Sequence, residues 1–140
     1  MMNPVKPQIR PLIQPATTHV PSPPLPTTRR QIGDRFELKA QAYLESLGYK
    51  IIDRNRIYPW GELDIVAEMG RVLVFIEVRG TEDGAWISPE ESLTFKKQMR
   101  LKRAIQTYLL YYRGPATDVR LDLIAVTGDQ LKHYPGYMNL

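Results

Sequence analysis

The residues best placed to do chemistry lie between Gly61 and Arg79, where two acids, Asp64 and Glu77, and one base, Arg79, stand inside runs that otherwise read as buried strands. Gly61-Glu62-Leu63-Asp64-Ile65-Val66-Ala67 and Val72-Leu73-Val74-Phe75-Ile76-Glu77-Val78-Arg79 are rich in β-branched and aromatic residues, and Glu68-Met69-Gly70-Arg71 between them reads as a hairpin turn. An even turn pairs Glu62 with Glu77 and Asp64 with Phe75. Opposed residues point to the same side of a sheet, so Asp64, Glu77 and Arg79 share a face with Val66, Leu73 and Phe75. Leu63, Ile65, Val74, Ile76 and Val78 take the other face. Two carboxylates and a guanidinium on a covered face are costly to desolvate unless something compensates them. A hard divalent cation does so. An internal Glu77–Arg79 or Asp64–Arg79 ion pair of purely structural role does so too, and the strands alone leave both readings open.

The flanking elements must deliver partners to that face. A helix is expected from about Arg29 to Leu47, with Phe36, Ala40, Tyr43, Leu44 and Leu47 as its apolar stripe and Gly48 as its stop. Glu37 lies on the flank of the stripe and can turn inward. Asp34-Arg35-Phe36-Glu37 also has capping-box spacing, which offers Glu37 a local role instead. Tyr49 to Asn55 reads as a first strand, and Asn55, Arg56 and Trp60 fall near strand ends, where a phosphate contact, a stacked base or plain solvation are all open. After Arg79 comes a polar loop, Gly80 to Trp86, beside the acids.

Ser88-Pro89-Glu90-Glu91 announces a second helix, about Pro89 to Tyr112, with Leu93, Leu101, Ala104, Ile105, Tyr108 and Tyr112 facing the core. Lys97 falls in that line, so its ammonium either snorkels to water or meets the carboxylates. Lys96, Arg100 and Arg103 form an adjoining basic ridge that fits a phosphate backbone or a solvated helix face. Val119 to Val126 is a late strand carrying Arg120 and Asp122, the latter a candidate ion-pair partner for Arg79 or Lys97. Leu131 to Pro135 reads as an edge piece, with His133 as a surface histidine. Helix, strands with a hairpin, helix and strand make an α/β sandwich with a mixed sheet covered on both sides.

Gly61-Glu62-Leu63-Asp64 followed by Phe75-Ile76-Glu77-Val78-Arg79 resembles the core of the YraN-like uncharacterised family, within the restriction-endonuclease-like PD-(D/E)XK superfamily of nucleases and Holliday junction resolvases. The resemblance covers Gly33 to about Met138 and takes in Glu37, Asn55, Arg56, Lys97, Arg120 and Asp122. It implies a restriction-endonuclease-like α/β/α sandwich with a central mixed sheet, and a Mg²⁺- or Mn²⁺-dependent endonuclease acting on DNA, with branched DNA as the favoured form. Asp64 and Glu77 would hold the metal, with Glu37 as an outer member and the Val78 carbonyl as a further ligand. Arg79 and Lys97 would serve the scissile phosphate, and Arg56, Lys96, Arg100 and Arg103 would bind nucleic acid. A homodimer follows by the same analogy. One departure matters: the superfamily carries lysine where this chain has Arg79, and arginine cannot exchange protons near neutral pH. That keeps a binding protein of the same fold without turnover as the alternative. An adaptor working through the N-terminal segment, and RNA as substrate, also stay open.

Composition sets the bounds. One hundred and forty residues suit one sizeable core, expected over 29–140. The absence of cysteine excludes disulfides and thiolate metal sites. Residues 1–28 hold eight of the twelve prolines and are expected to be a disordered tail. No apolar run fits a signal peptide or a membrane span, so a soluble cytoplasmic protein without membrane contact is the expectation. The net charge of +4 comes wholly from Lys6, Arg10, Arg29 and Arg30; from Gln31 onward bases and acids balance. Attraction for nucleic acid must therefore come from a local patch.

Overall fold

Three tight reversals and one crossover organise the sheet. The computed structural model describes residues 29–82, 84–138 and 140; the expected tail over 1–28 lies outside the described residues. Helix α1 (Arg29–Ser46) is followed by strands β1 (Lys50–Tyr58), β2 (Gly61–Met69) and β3 (Val72–Thr81). Helices α2 (Pro89–Ser92) and α3 (Phe95–Tyr111) then lead to β4 (Asp118–Thr127) and β5 (Gln130–Met138). The strands lie in chain order; β3 and β4 are parallel and all other neighbours antiparallel. A parallel pair needs a long connection, and α2 and α3 supply it.

Helix α1 packs on one face of the sheet, where Phe36, Ala40 and Leu44 meet Ile65, Ala67, Val74, Ile76, Val78 and Ile124. Helix α3 packs on the other, where Leu101, Ala104, Ile105 and Tyr108 meet Val66, Leu73, Phe75, Leu121 and Leu123. Tyr108 meets Phe75 edge-on, with ring centroids 5.5 Å apart. The result is the expected α/β/α sandwich around a mixed sheet.

Four details depart from the sequence reading, each for a local reason. The β2–β3 turn is only Gly70-Arg71, because Gly70 takes φ +58, a conformation that lets the chain reverse in two residues. Met69 therefore pairs with Val72, and the register slips by two from the expected pairing. A slip of two preserves which residues share a face. Strand β1 likewise runs on to Tyr58, which pairs with Gly61, so Asn55 and Arg56 lie within a strand.

The long second helix is two helices. Ser88 caps α2 as expected, its Oγ accepting the Glu91 N–H at 3.2 Å, but Leu93 leaves helical geometry. Thr94 then starts α3 afresh by accepting the Lys97 N–H at 3.4 Å. Finally, Leu47 is half exposed rather than part of the α1 stripe, since Gly48, at φ +90, turns the chain away.

Candidate active site

The two antiparallel strands that carry the acids part company where the acids begin. The β2–β3 ladder ends at Ile65↔Ile76, and one further step along that register sets Asp64 level with Glu77. There the Val78 N–H donates to Asp64 Oδ2 at 2.9 Å. The side-chain alternation of β2 also breaks at this point. Leu63 packs with Leu73, Phe75 and Leu101 on the α3 face, not with Ile65 on the α1 face. Asp64 occupies the break, and this lets it face acids from both layers.

Its neighbours are Glu77 from β3, Glu37 from α1 and Glu62 from the start of β2. The Asp64 carboxyl interacts directly with those of Glu77 and Glu37. One carboxylate oxygen each from Glu37, Glu62 and Asp64 lies within 4.8 Å of the others. These are all hard oxygen donors. Glu37 Oε2 is buried without a hydrogen bond; its nearest cation is Arg54 Nη2, at 3.6 Å. Such a set fits a hard divalent cation.

Electrostatics show the strain of leaving the acids together. Burial first, then the charge of Asp64, push Glu37 up to about 8 against a partial offset from Arg54. Burial likewise raises Asp64, opposed by its hydrogen bonds from Val78 and with Glu77. Glu77 is raised well above the usual carboxylate range by burial and by Asp64, even though Arg79 Nη2 sits 2.8 Å from its Oε1. Near neutral pH the cluster keeps protons that a bound cation would displace.

These acids line a cleft of about 670 Å³ between the two helix layers. Arg79, Lys97 and Arg100 line it too, so five expected site residues (Glu37, Asp64, Glu77, Arg79 and Lys97) converge, together with one of the expected nucleic-acid contacts. Two glycines let the walls close in. Gly80 sits under the Phe36 ring, and a Cβ on Gly61 would stand 3.0 Å from the Arg100 carbonyl oxygen.

Lys97 keeps the phase of Leu101 and Ala104 but is exposed at the first turn of α3, because that end of the stripe faces the cleft and not the packed sheet. Glu37 lies more than a turn inside α1, which removes the capping-box reading. Lys96, Arg103 and Arg56 lie outside the cleft lining. Arg103 rests on the Trp60 ring at 4.3 Å, with Tyr58 stacked parallel beside Trp60, and Arg56 pairs with Asp53 at 3.7 Å.

Asp122 is not a partner of Arg79 or Lys97. It is fully buried between β4 and β5, held by Arg120 at 2.8 Å, His133 Nε2 at 2.7 Å and the Gly136 N–H at 2.9 Å. His133 is correspondingly no surface residue: its side chain is 8% exposed, and Nδ1 meets the Tyr43 hydroxyl. The position that sequence reasoning missed is Glu62. Its spacing of two from Asp64 and its expected place opposite Glu77 were the available signals.

A mixed five-stranded sheet between two helix layers, with acids from α1, β2 and β3 in one cleft, defines a restriction-endonuclease-like α/β/α sandwich. Residues 36–126 match the uncharacterised protein family UPF0102. A UPF0102 protein of Pseudoalteromonas translucida is 39% identical over 104 residues, covering 74% of this chain and 85% of the relative. One from Sulfurihydrogenibium is 37% identical over 112 residues, covering 80% and 97%. One from Carboxydothermus hydrogenoformans is 44% identical over 94 residues, covering 64% and 80%. The chain belongs to the UPF0102 family, the YraN-like family that its motifs resemble.

Proposed function

We propose that this protein is a metal-dependent endonuclease that hydrolyses phosphodiester bonds in DNA, with branched DNA as its favoured form. The observation that carries the reading is the convergence of Glu37, Glu62 and Asp64 oxygens within 4.8 Å, beside Glu77, in a cleft rimmed by bases. Asp64, Glu62 and Glu37 would hold Mg²⁺ or Mn²⁺, with Glu77 adjoining through Asp64. When bound, the cation would acidify a water and neutralise charge on the scissile phosphate.

The chain's own residues do the rest. Lys97 and Arg100, on the α3 wall, bind the phosphate and fix it over the acids. Arg79 holds Glu77 in place by its 2.8 Å contact and adds positive charge to the floor of the cleft. The Val78 N–H holds Asp64 in place at the cleft wall through Oδ2. Lys96, Arg103 and Arg56 extend the basic wall along α3 and β1. A cytoplasmic homodimer acting on paired strands belongs to the same reading. Among the described residues, no helix is long and apolar enough to cross a membrane.

One observation favours a second reading. Arg79 stands where the superfamily carries lysine and is engaged with Glu77, so it cannot move a proton. This supports a DNA-binding protein of the same fold without turnover. Nicking of supercoiled and branched DNA in Mg²⁺ or Mn²⁺ decides between the two. The endonuclease reading requires cleavage that is lost in Asp64→Asn and Glu77→Gln proteins with unchanged circular dichroism. Salt-sensitive binding without cleavage in any metal establishes the second reading.

A further inference from the structure

Helix α3 carries a charge pattern that the rest of the described chain does not share. Its seventeen residues include Lys96, Lys97, Arg100, Lys102 and Arg103 and no acid. Two large apolar side chains stand out among these bases: Phe95 is 77% exposed and Met99 is 50% exposed. A spacing of four places them together on the outer face of the helix, opposite the core residues Leu101, Ala104, Ile105 and Tyr108. Both stand two residues from Lys97, and Met99 adjoins Arg100; Lys97 and Arg100 line the carboxylate cleft.

Exposed apolar groups need an occupant that also accepts the surrounding charge. A second copy of α3 is a poor one, since it would set five bases against five. A polyanion with apolar surface inside it is a good one, and nucleic acid is that polyanion: phosphates outside, base faces within the stack. Phenylalanine and methionine are side chains that enter such stacks where a step is already weak. The bases are also held ready. Arg103 sits over the Trp60 ring, and Gly61 packs closely against the Arg100 backbone, so α3 is held against the β1–β2 turn.

We propose that Phe95 and Met99 form an apolar wedge that enters an interrupted base stack, while Lys96, Arg100 and Arg103 hold the flanking phosphates. The wedge selects DNA with a bulge or branch over continuous duplex. This rests on the endonuclease reading and deepens it by naming the residues that select an interrupted stack, yet it concerns binding alone and stands or falls without cleavage. The cost of unstacking is smallest where the stack is already broken, which is the physical basis of the selection.

The test is fluorescence anisotropy of the full-length protein in EDTA, which removes any cleavage. The probes are a bulged duplex and a continuous duplex of equal length, and 2-aminopurine beside the bulge reports unstacking. Wild type should bind the bulged duplex about tenfold more tightly and brighten the probe. The Phe95→Ala/Met99→Ala protein should lose the preference and the brightening, while keeping its affinity for continuous duplex and its salt slope. Both positions are exposed, so folding is not at issue. Equal preference and brightening in wild type and variant overturn the proposal. So does a loss that sedimentation traces to a broken dimer, or one seen only with anionic vesicles and not with DNA. Failure of nicking with this result intact would sink the endonuclease reading alone.

Discussion

Replacing Glu37 by glutamine should stabilise the metal-free protein, and increasingly so as pH rises. Glu37 is 9% exposed, and its carboxyl is raised from 4.5 to about 8, by burial first and by Asp64 second. A carboxyl whose folded value lies above its unfolded one favours folding fully below the unfolded value, and that contribution is lost as pH rises through the folded one. The window therefore runs from about 4.5 to about 8. At ~1.36 kcal/mol per pH unit, the loss for this one group is about 3 kcal/mol by pH 7 and up to ~5 kcal/mol above pH 8. Glutamine keeps the volume and carries no charge in either state, so the variant escapes that loss. It gives up the 3.6 Å contact with Arg54, which trims the gain. For a domain of this size, ~3 kcal/mol corresponds to a rise in Tm of roughly 10 °C. Thermal melts of both proteins in EDTA, from pH 4.5 to 8.5, make the comparison. The curves should meet at the acid end and diverge toward neutrality. A difference that stays constant with pH, or a variant less stable at pH 7 than wild type, would refute the account of a charge-stressed cluster.

Other outcomes follow from the same structure. Mn²⁺ should raise Tm at pH 7.5 and have little effect at pH 4.5, because protonated acids do not bind it; Asp64→Asn should remove most of the increase, as read by calorimetry. Gly80→Ala sets a methyl group into the Phe36 ring and should cost about 1–3 kcal/mol in urea denaturation, since Phe36 is itself buried. Asp122→Ala should cost ~3 kcal/mol or more without altering metal binding, because it strands Arg120 and His133 beside an emptied site. Burial acts to raise Asp122, but His133, Arg120 and the Gly136 N–H outweigh it and lower the carboxyl overall. Its contribution is therefore present above the ordinary aspartate value and lost as pH falls through the lowered one, which an acid melt of wild type against Asp122→Asn would show.

Much of this architecture was legible in one dimension because local physics repeats along the chain. The β-branched runs around Asp64 and Glu77, the Ser88-Pro89 helix start and the apolar stripe from Leu101 to Tyr108 all report the element that contains them. Alternation within β3 survives a slip of two, so the face of Glu77 could be read correctly from the wrong pairing; Asp64 meets it at a break in β2 that alternation did not foresee. What needed three dimensions was every feature set by contacts between distant segments. The place where the packed sheet gives way to the cleft decided that Lys97, in line with Leu101 and Ala104, would stand at a wall and not in the core. Glu62 joined the acid cluster only when α1 and β2 brought its oxygen to those of Glu37 and Asp64, a meeting that its spacing from Asp64 hinted at but could not fix. Asp122 and His133, eleven residues apart, found each other across an edge pairing that no periodicity announces. Patterns of period two and 3.6 encode which side a residue faces. They do not encode how far along a neighbouring element it sits, and that distance, fixed only when the layers pack, decides which charges meet.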